Sequence, residues 1–389
     1  MRSSWRFAVN TRPLRPGDGM ILLNDFRRQW EETREAVLDA VDSVGKAGWY
    51  ILGREVAGFE GDLARLWGLP HAIGVGSGLD ALEISLRVLG CCRGDRVLTT
   101  PLSAFATTLA IVKLGAIPVF VDTDERGGIA LDRCRDLLAR RTDIRFLVPV
   151  HLYGHALDLD ELARLRDQFG LRVVEDCAQS ILASWDGRPT GTVGAIAATS
   201  FYPTKNLGAM GDAGAVLTSD AGYEAAARAL RDYGQSRKYG HDFIGYNSRL
   251  DELQAAIMRR AYLPKLAGWT ERRRRIATRY LEGIDNPGVK PIRPSRTSDS
   301  VWHLFPARVD PDRKEAFIRH ARDCGVLCGE HYPIAIPDQR ALRGVPCELA
   351  GDCATARAIA RSEVTLPIHP YLADEEVERV IDCCNHWRG

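Results

Sequence analysis

The sequence carries almost no net charge: 52 lysines and arginines stand against 51 aspartates and glutamates, leaving a formal +1. That balance argues against nucleic acid or an acidic membrane as the main partner. No run of 18 or more apolar residues is present, so no membrane-spanning helix is expected. The ten cysteines show no repeated C-x-x-C pair and no accompanying histidine spacing, so no metal site is expected. Arg2, Arg6, Arg12, Pro13, Arg15 and Pro16 break up the start of the chain, which therefore lacks the apolar centre of a secretory leader. The expectation is a reduced, cytoplasmic enzyme with free thiols. Lysine is also scarce, supplying only seven of the 52 basic residues. The basic run Arg272 to Arg275 lies in a helical stretch from Trp269 to Leu281 and reads as a solvated helix face.

What is present is the composition of an ordinary globular protein, 45% hydrophobic and 26% charged over 389 residues. That length is enough for two cores. Short β runs alternate with helix-length segments: His71–Val75, Arg96–Thr100, Ile117–Asp122, Phe146–Val150, Leu171–Glu175, Ala195–Tyr202 and Ala213–Ser219. The helical segments between them include Asp80–Leu89, Ala104–Leu114 and Leu159–Phe169. This alternation implies an α/β fold with a mostly parallel sheet, helices on both faces and ligands beyond the carboxyl ends of the strands. From Ser248 the pattern shifts to longer helices, with further β runs near Val301–Val309 and Val326–Tyr332 and an amphipathic C-terminal helix. The expected division is a tail over residues 1–20, a large domain over 21–250 and a small α/β domain over 251–389.

Three strand-end stretches carry chemistry. The stretch from Gly74 to Leu82 runs a strand through glycines into a helix start, where free N–H groups attract an anion. Its spacing matches neither a dinucleotide fingerprint nor a P-loop. Val173-Val174-Glu175-Asp176 ends a strand in an acidic pair, which could hold a protonated pyridine nitrogen, cap a helix or be a surface acid. Ser200-Phe201-Tyr202-Pro203-Thr204-Lys205 places one of the few lysines between a strand and a glycine-rich turn, 29 positions after Asp176. Burial there would favour the neutral amine that attacks an aldehyde.

Taken together these stretches resemble the DegT/DnrJ/EryC1/StrS family of sugar aminotransferases, from about Ile21 to the C-terminus. The carrying segments are GVGSGLDALEISLRVLG, PVHLYGHALDLDEL, VVEDCAQS, SFYPTKNLGAMGDAGAVLTSD, GYNSRLDELQAA, EHYP and LPIHP. The resemblance implies the fold-type-I architecture of pyridoxal 5'-phosphate enzymes: a large domain around a seven-stranded sheet, a smaller C-terminal domain and a homodimer with shared active sites. It makes Lys205 the catalytic lysine that bonds the cofactor and Asp176 the partner of its pyridine nitrogen. It sets Gln179 near the ring's phenolic oxygen or its lysine link and Phe105 stacked on the ring, although an aromatic residue at 105 could instead be core. Backbone groups of Gly78 and Leu79 with the Ser200 hydroxyl would hold the phosphate, and Asn247, otherwise a turn residue, would reach the neighbouring subunit's phosphate. Many family members have threonine where this chain has Leu79, and His-Gly where it has Ser180-Ile181-Leu182. His151 and His331 are each either acid–base or structural groups, and Tyr332 is expected to line the substrate pocket.

The implied reaction moves an amino group from L-glutamate to a nucleotide-linked keto-deoxysugar, and the lysine loop favours C-3 of a dTDP-3-keto-6-deoxyhexose. A cyclitol or a C-4 sugar aminotransferase is the nearest alternative. A non-catalytic regulatory protein is a distant one, since no DNA-binding module is evident.

Overall fold

The computed structural model describes residues 19–389, so the tail expected over residues 1–20 lies almost wholly outside the described residues. Helix α1 (Phe26–Ala47) starts at Asp25, whose carboxylate accepts the Arg27 and Arg28 N–H groups, and stops at Gly48 in the left-handed region. Helix α2 (Arg54–Trp67) has no cap from its own first residues. The Glu252 carboxylate supplies one from far along the chain, accepting the N–H groups of Gly53 and Val56 at 2.8 Å and of Glu55 at 3.0 Å.

Strands β1 (His71–Val75), β2 (Arg96–Thr99), β3 (Ile117–Phe120), β4 (Ile144–Val148) and β5 (Arg172–Asp176) lie within two residues of the positions read from the sequence. Strands Ile196–Ser200 and Gly214–Thr218 complete the expected seven. They are ordered β1, 214–218, 196–200, β5, β4, β2, β3, and all are parallel except 214–218, which is antiparallel to both neighbours. An eighth strand of two residues, Glu348–Leu349, pairs with β3 from the C-terminal part of the chain.

Successive strand residues face opposite layers. Ala72, Ala197, Ala215 and Leu217 join one core with α1 and α2, while Ile73, Val75, Ile196, Ala198 and Val216 join another under helix α3 (Gly78–Val88). Helices therefore cover both faces. A separate core gathers Ile276, Tyr280, Phe305, Phe317, Val364, Val377 and Val380 around the antiparallel strands 290–291, 305–308 and 363–366.

The division between cores does not fall near residue 250. Leu250, Ala255, Leu266 and Trp269 belong to the first core and Ile276 to the last, so the change occurs inside the helix Leu266–Gly283. Ile21 also packs in the last core, where its backbone pairs with Gly325 and Leu327. The β run expected at Val326–Tyr332 forms only isolated bridges, Ile21 with Val326 and Gly329 with Thr365.

The reading of the arginine run is corrected. Arg275 is exposed, but Arg273 is buried on the stripe of Trp269, Ile276 and Tyr280, where its Nη1 donates to the carbonyls of Ile368 (3.1 Å), Trp302 and His303 (both 3.4 Å). With carbonyl dipoles and, among the described residues, no carboxylate paired with it, burial brings the guanidinium down to about 10. Among the described residues no helix is long and apolar enough to cross a membrane.

Candidate active site

The carboxyl ends of the parallel strands open into a cavity of about 530 Å³, closed on its far side by residues of the C-terminal unit. Gly78 and Leu79 come from the turn after β1, Ala104 and Ala106 from the segment after β2, Asp176 from the end of β5 and Ser200 from the end of strand 196–200. His303, His331, Tyr332 and Thr365 face them from the opposite wall. Its volume lies in the range of small-molecule sites, roughly 300–1,000 Å³.

Lys205 lines this cavity in the loop after strand 196–200, pinned by its N–H to the Tyr202 carbonyl (2.8 Å). Burial lowers its ammonium to about 8, although the charge of Asp176 opposes that shift. Asp176 is buried. Its Oδ2 accepts the Thr107 hydroxyl (2.8 Å) and its Oδ1 the Ala178 N–H (3.1 Å). Burial raises its carboxyl, and those two bonds and the Lys205 charge only partly offset the rise. The carboxylate is thus short of a cation inside a cavity that it lines.

At the other end, Ser77 accepts the Asp80 N–H (3.1 Å) as the cap of α3, leaving Gly78 and Leu79 at a helix N-terminus where N–H groups have no intrahelical acceptor. A Cβ on Gly78 would collide with Ser200 Cβ and lie 2.8 Å from its Oγ, so only glycine lets the turn sit against that hydroxyl. Ser200 Oγ accepts the Tyr202 N–H (3.2 Å), which leaves its own proton to donate. An anion site and a nucleophilic amine with a buried carboxylate therefore share one cavity.

Residues 31–385 match the model of the DegT/DnrJ/EryC1/StrS aminotransferase family. The chain belongs to that family. It is similar to the dTDP-3-amino-3,4,6-trideoxy-alpha-D-glucose transaminase of Streptomyces venezuelae, 40% identical over 93% of this chain and 95% of the relative. The solved structure of S. venezuelae DesV in complex with a ketimine intermediate superposes with a TM-score of 0.90 at 38% identity, covering 95% of this chain and 98% of that one. NtdA of Bacillus subtilis, solved with bound PMP, superposes with a TM-score of 0.86 at 26% identity over 95% of this chain and 85% of that one. The protein is a sugar aminotransferase of fold type I and depends on pyridoxal 5'-phosphate.

The residues present fit that cofactor. The helix N-terminus at Gly78 and Leu79, with the Ser200 hydroxyl, suits a phosphate. Asp176, under-compensated in its buried site, suits a protonated pyridine nitrogen. Lys205, brought toward neutrality, suits an aldehyde carbon.

Other expected residues sit elsewhere. Phe105 packs against the cluster of Phe120, Ile336 and Leu342 and is not among the cavity-lining side chains; Ala104 and Ala106 on either side of it are. Ring stacking therefore does not follow from where this structure places Phe105. Gln179 stands behind the wall, its Oε1 accepting the Tyr153 N–H (2.6 Å) and its Nε2 donating to the Tyr332 hydroxyl (3.3 Å). Asn247 is exposed, and its Oδ1 accepts from Arg249 (2.7 Å).

The acidic pair divides. Glu175 turns away from the cavity and accepts His151 Nε2–H (2.9 Å) and the N–H groups of Gly191, Val193 and Gly194. His151 Nδ1 accepts the Leu157 N–H (3.2 Å), so both ring nitrogens are committed and this histidine is structural. Burial pushes the Glu175 carboxyl up, but His151 and these backbone donors more than offset it and leave it lowered. The donor atoms of His320, Cys324 and Cys383 come within 4.8 Å of one another, closer than their sequence spacing suggested. There, however, His320 Nε2 lies 2.9 Å from the Cys383 carbonyl oxygen, and the group does not border the cavity.

Sequence reasoning missed Thr107, His303, Thr365 and the N-terminal Leu23 and Asn24 as contributors to the site. Thr107 had a signal, since it stands at the first turn of the helix that follows β2. The others arrive through tertiary packing and left none.

Proposed function

We propose that this chain transfers an amino group from L-glutamate to C-3 of a nucleotide-linked 3-keto-6-deoxyhexose, working as a homodimer with shared active sites. The observation that carries the reading is the convergence of Lys205, Asp176 and the anion site on one cavity, whose opposite wall sets His303, His331, Tyr332 and Thr365 among apolar residues such as Leu304, Leu366 and Ile368. The named product of the S. venezuelae relative bears its amine at C-3, which supports that position. Large exposed apolar side chains at Trp49, Tyr50, Ile51, Phe243 and Ile244 support burial against a second copy. In that assembly Asn247, exposed beside this segment, serves the neighbouring subunit's phosphate.

When bound, the cofactor supplies a carbonyl to carry the amino group and a ring that accepts the electron pair of the broken C–H bond. Asp176 holds that ring by its pyridine nitrogen, and the Thr107 hydroxyl fixes the carboxylate rotamer. Lys205 Nζ removes and returns the proton, a role that needs an amine near neutrality. His303, His331 and Tyr332 stand on the substrate side.

Borohydride treatment of the purified protein followed by peptide mass spectrometry should place the reduced cofactor on Lys205. Recovery on Lys238 or Lys265 overturns the site. Incubation with L-glutamate and a panel of keto-sugar nucleotides and keto-cyclitols should then aminate a 3-keto sugar. Turnover of a cyclitol or a 4-keto sugar alone overturns the acceptor.

A further inference from the structure

One wall of the cavity is backed by a buried carboxyl that the reaction as described does not use. Strand 363–366 carries Glu363 and Thr365 on the same face, two residues apart, and both are buried. The Thr365 hydroxyl lies 2.5 Å from Glu363 Oε1, and His331 Nδ1 lies 2.8 Å from the same hydroxyl oxygen. Glu363 Oε2 accepts the His331 backbone N–H (2.7 Å). Paired backbone bonds between Gly329 and Thr365, 2.9 and 2.8 Å, hold the histidine loop in register with the strand. His331 and Thr365 line the cavity, and His331 Nε2 has no protein partner among the described residues.

A threonine hydroxyl has one proton to give. While Glu363 is ionised, that proton goes to the carboxylate, so Thr365 Oγ1 accepts from His331 and the ring carries its proton on Nδ1. Nε2 then offers a lone pair to the cavity. When Glu363 is protonated, its Oε1–H donates to Thr365, the hydroxyl turns to His331 Nδ1, and the ring proton moves to Nε2.

We propose that Glu363 is a positioning residue which, through Thr365, sets whether His331 presents a hydrogen-bond acceptor or a donor to the substrate. The acceptor state serves a sugar hydroxyl and repels a ketone or carboxylate oxygen; the donor state serves all three. The assignment of those groups to substrates rests on the function proposed above, while the relay itself does not.

Both states are reachable near neutrality. Burial raises the Glu363 carboxyl to about 7, opposed by the Thr365 hydroxyl, the His331 N–H and the charge of Lys314, and reinforced by Glu330. Lys314 and Glu330 pair with each other at 2.6 Å. Among the described residues Tyr153, Tyr332 and Cys328 also lie near it, and burial favours the neutral form of each across this range, while Arg308, opposite Glu363 on the paired strand, donates to Ser362 and Glu125 instead. His331 itself is brought down to about 4 by burial and the Lys205 charge, so the change near neutrality is one of tautomer, not of charge.

The test is ¹⁵N NMR of histidine-labelled enzyme in its cofactor-bound form, with the His331 signal assigned by its loss in His331→Gln. Wild type should carry the ring proton on Nδ1 at about pH 8.5 and shift toward Nε2 at about pH 6. Glu363→Gln is isosteric. Its amide oxygen takes the His331 N–H and its NH₂ donates to Thr365, which locks the Nε2–H form at both pH values. Thr365→Val cuts the relay and should abolish the pH dependence of the tautomer while Glu363 stays in place. A His331 tautomer that is the same in wild type at both pH values and unchanged in Glu363→Gln overturns the proposal.

Acceptor kcat/KM should show an inflection near pH 7 in wild type that Glu363→Gln lacks, with the cofactor absorbance unaltered. An inflection retained in that variant also overturns the proposal. Failure to aminate any keto sugar, with the tautomer shift intact, overturns only the acceptor assignment.

Discussion

The amine of Lys205 offers the sharpest quantitative test of the site. Burial brings it from 10.5 to about 8 against the opposing charge of Asp176. At about pH 7.5 roughly a quarter of such an amine is neutral, against about one part in a thousand of an ordinary lysine, a reactivity gain of about 200-fold. Competitive labelling of the cofactor-free protein with a trace acylating reagent, read by peptide mass spectrometry, compares Lys205 with Lys238 and Lys265 in one sample. The Lys205 labelling curve should have its midpoint near pH 8. Asp176→Asn removes the one charge that favours the ammonium, so the midpoint should fall further. The same shift is a stability statement: the folded state disfavours the ammonium, a cost of about 3 kcal/mol that is fully present below about pH 8 and relieved as pH rises toward 10.5. A midpoint above about pH 9.5, or a rise in the Asp176→Asn variant, refutes the reasoning that burial activates this lysine.

Glu252→Ala removes the carboxylate that satisfies three N–H groups at the start of α2, and should cost about 3 kcal/mol. Hydrogen exchange at Gly53, Glu55 and Val56 should accelerate well before that of the strands, and unchanged protection there refutes the capping role. Co-expressed Lys205→Ala and Asn247→Asp chains, each inactive alone, should regain up to about a quarter of wild-type activity, because about half of the dimers are mixed and each holds one intact site. No recovery from chains that still dimerise places Asn247 outside the neighbour's site.

Much of this architecture was legible because its determinants are local. The alternation of strand and helix, the glycines before α3 and the lysine loop are contiguous stretches, and the structure brings Gly78, Ser200, Asp176 and Lys205 to one cavity. Periodicity held more than was taken from it. In a strand, successive side chains point to opposite faces, so Glu175 and Asp176 could not both face the cofactor, and the structure gives one to His151 and the other to the cavity. Four consecutive arginines on a helix likewise span all its faces, and Arg273 falls on the stripe of Trp269, Ile276 and Tyr280.

Other features had no local signature. The carboxylate that caps α2 lies about 200 positions away at Glu252, and the pairing of Gly329 with Thr365 depends on how the C-terminal strands dock. A buried carboxyl two positions before a threonine looks in sequence like any half-polar strand. Only when the histidine loop is laid beside that strand does the single proton of Thr365 acquire two competing acceptors, Glu363 and His331. Gly78, Asp176, Ser200 and Lys205 are therefore written in contiguous motifs, whereas the opposite wall, although His331 and Tyr332 stand in the EHYP stretch, acquires its hydrogen-bond network only through tertiary contacts. On this reasoning, differences in acceptor choice between proteins sharing these motifs should map to the wall formed by His303, His331, Tyr332 and Thr365.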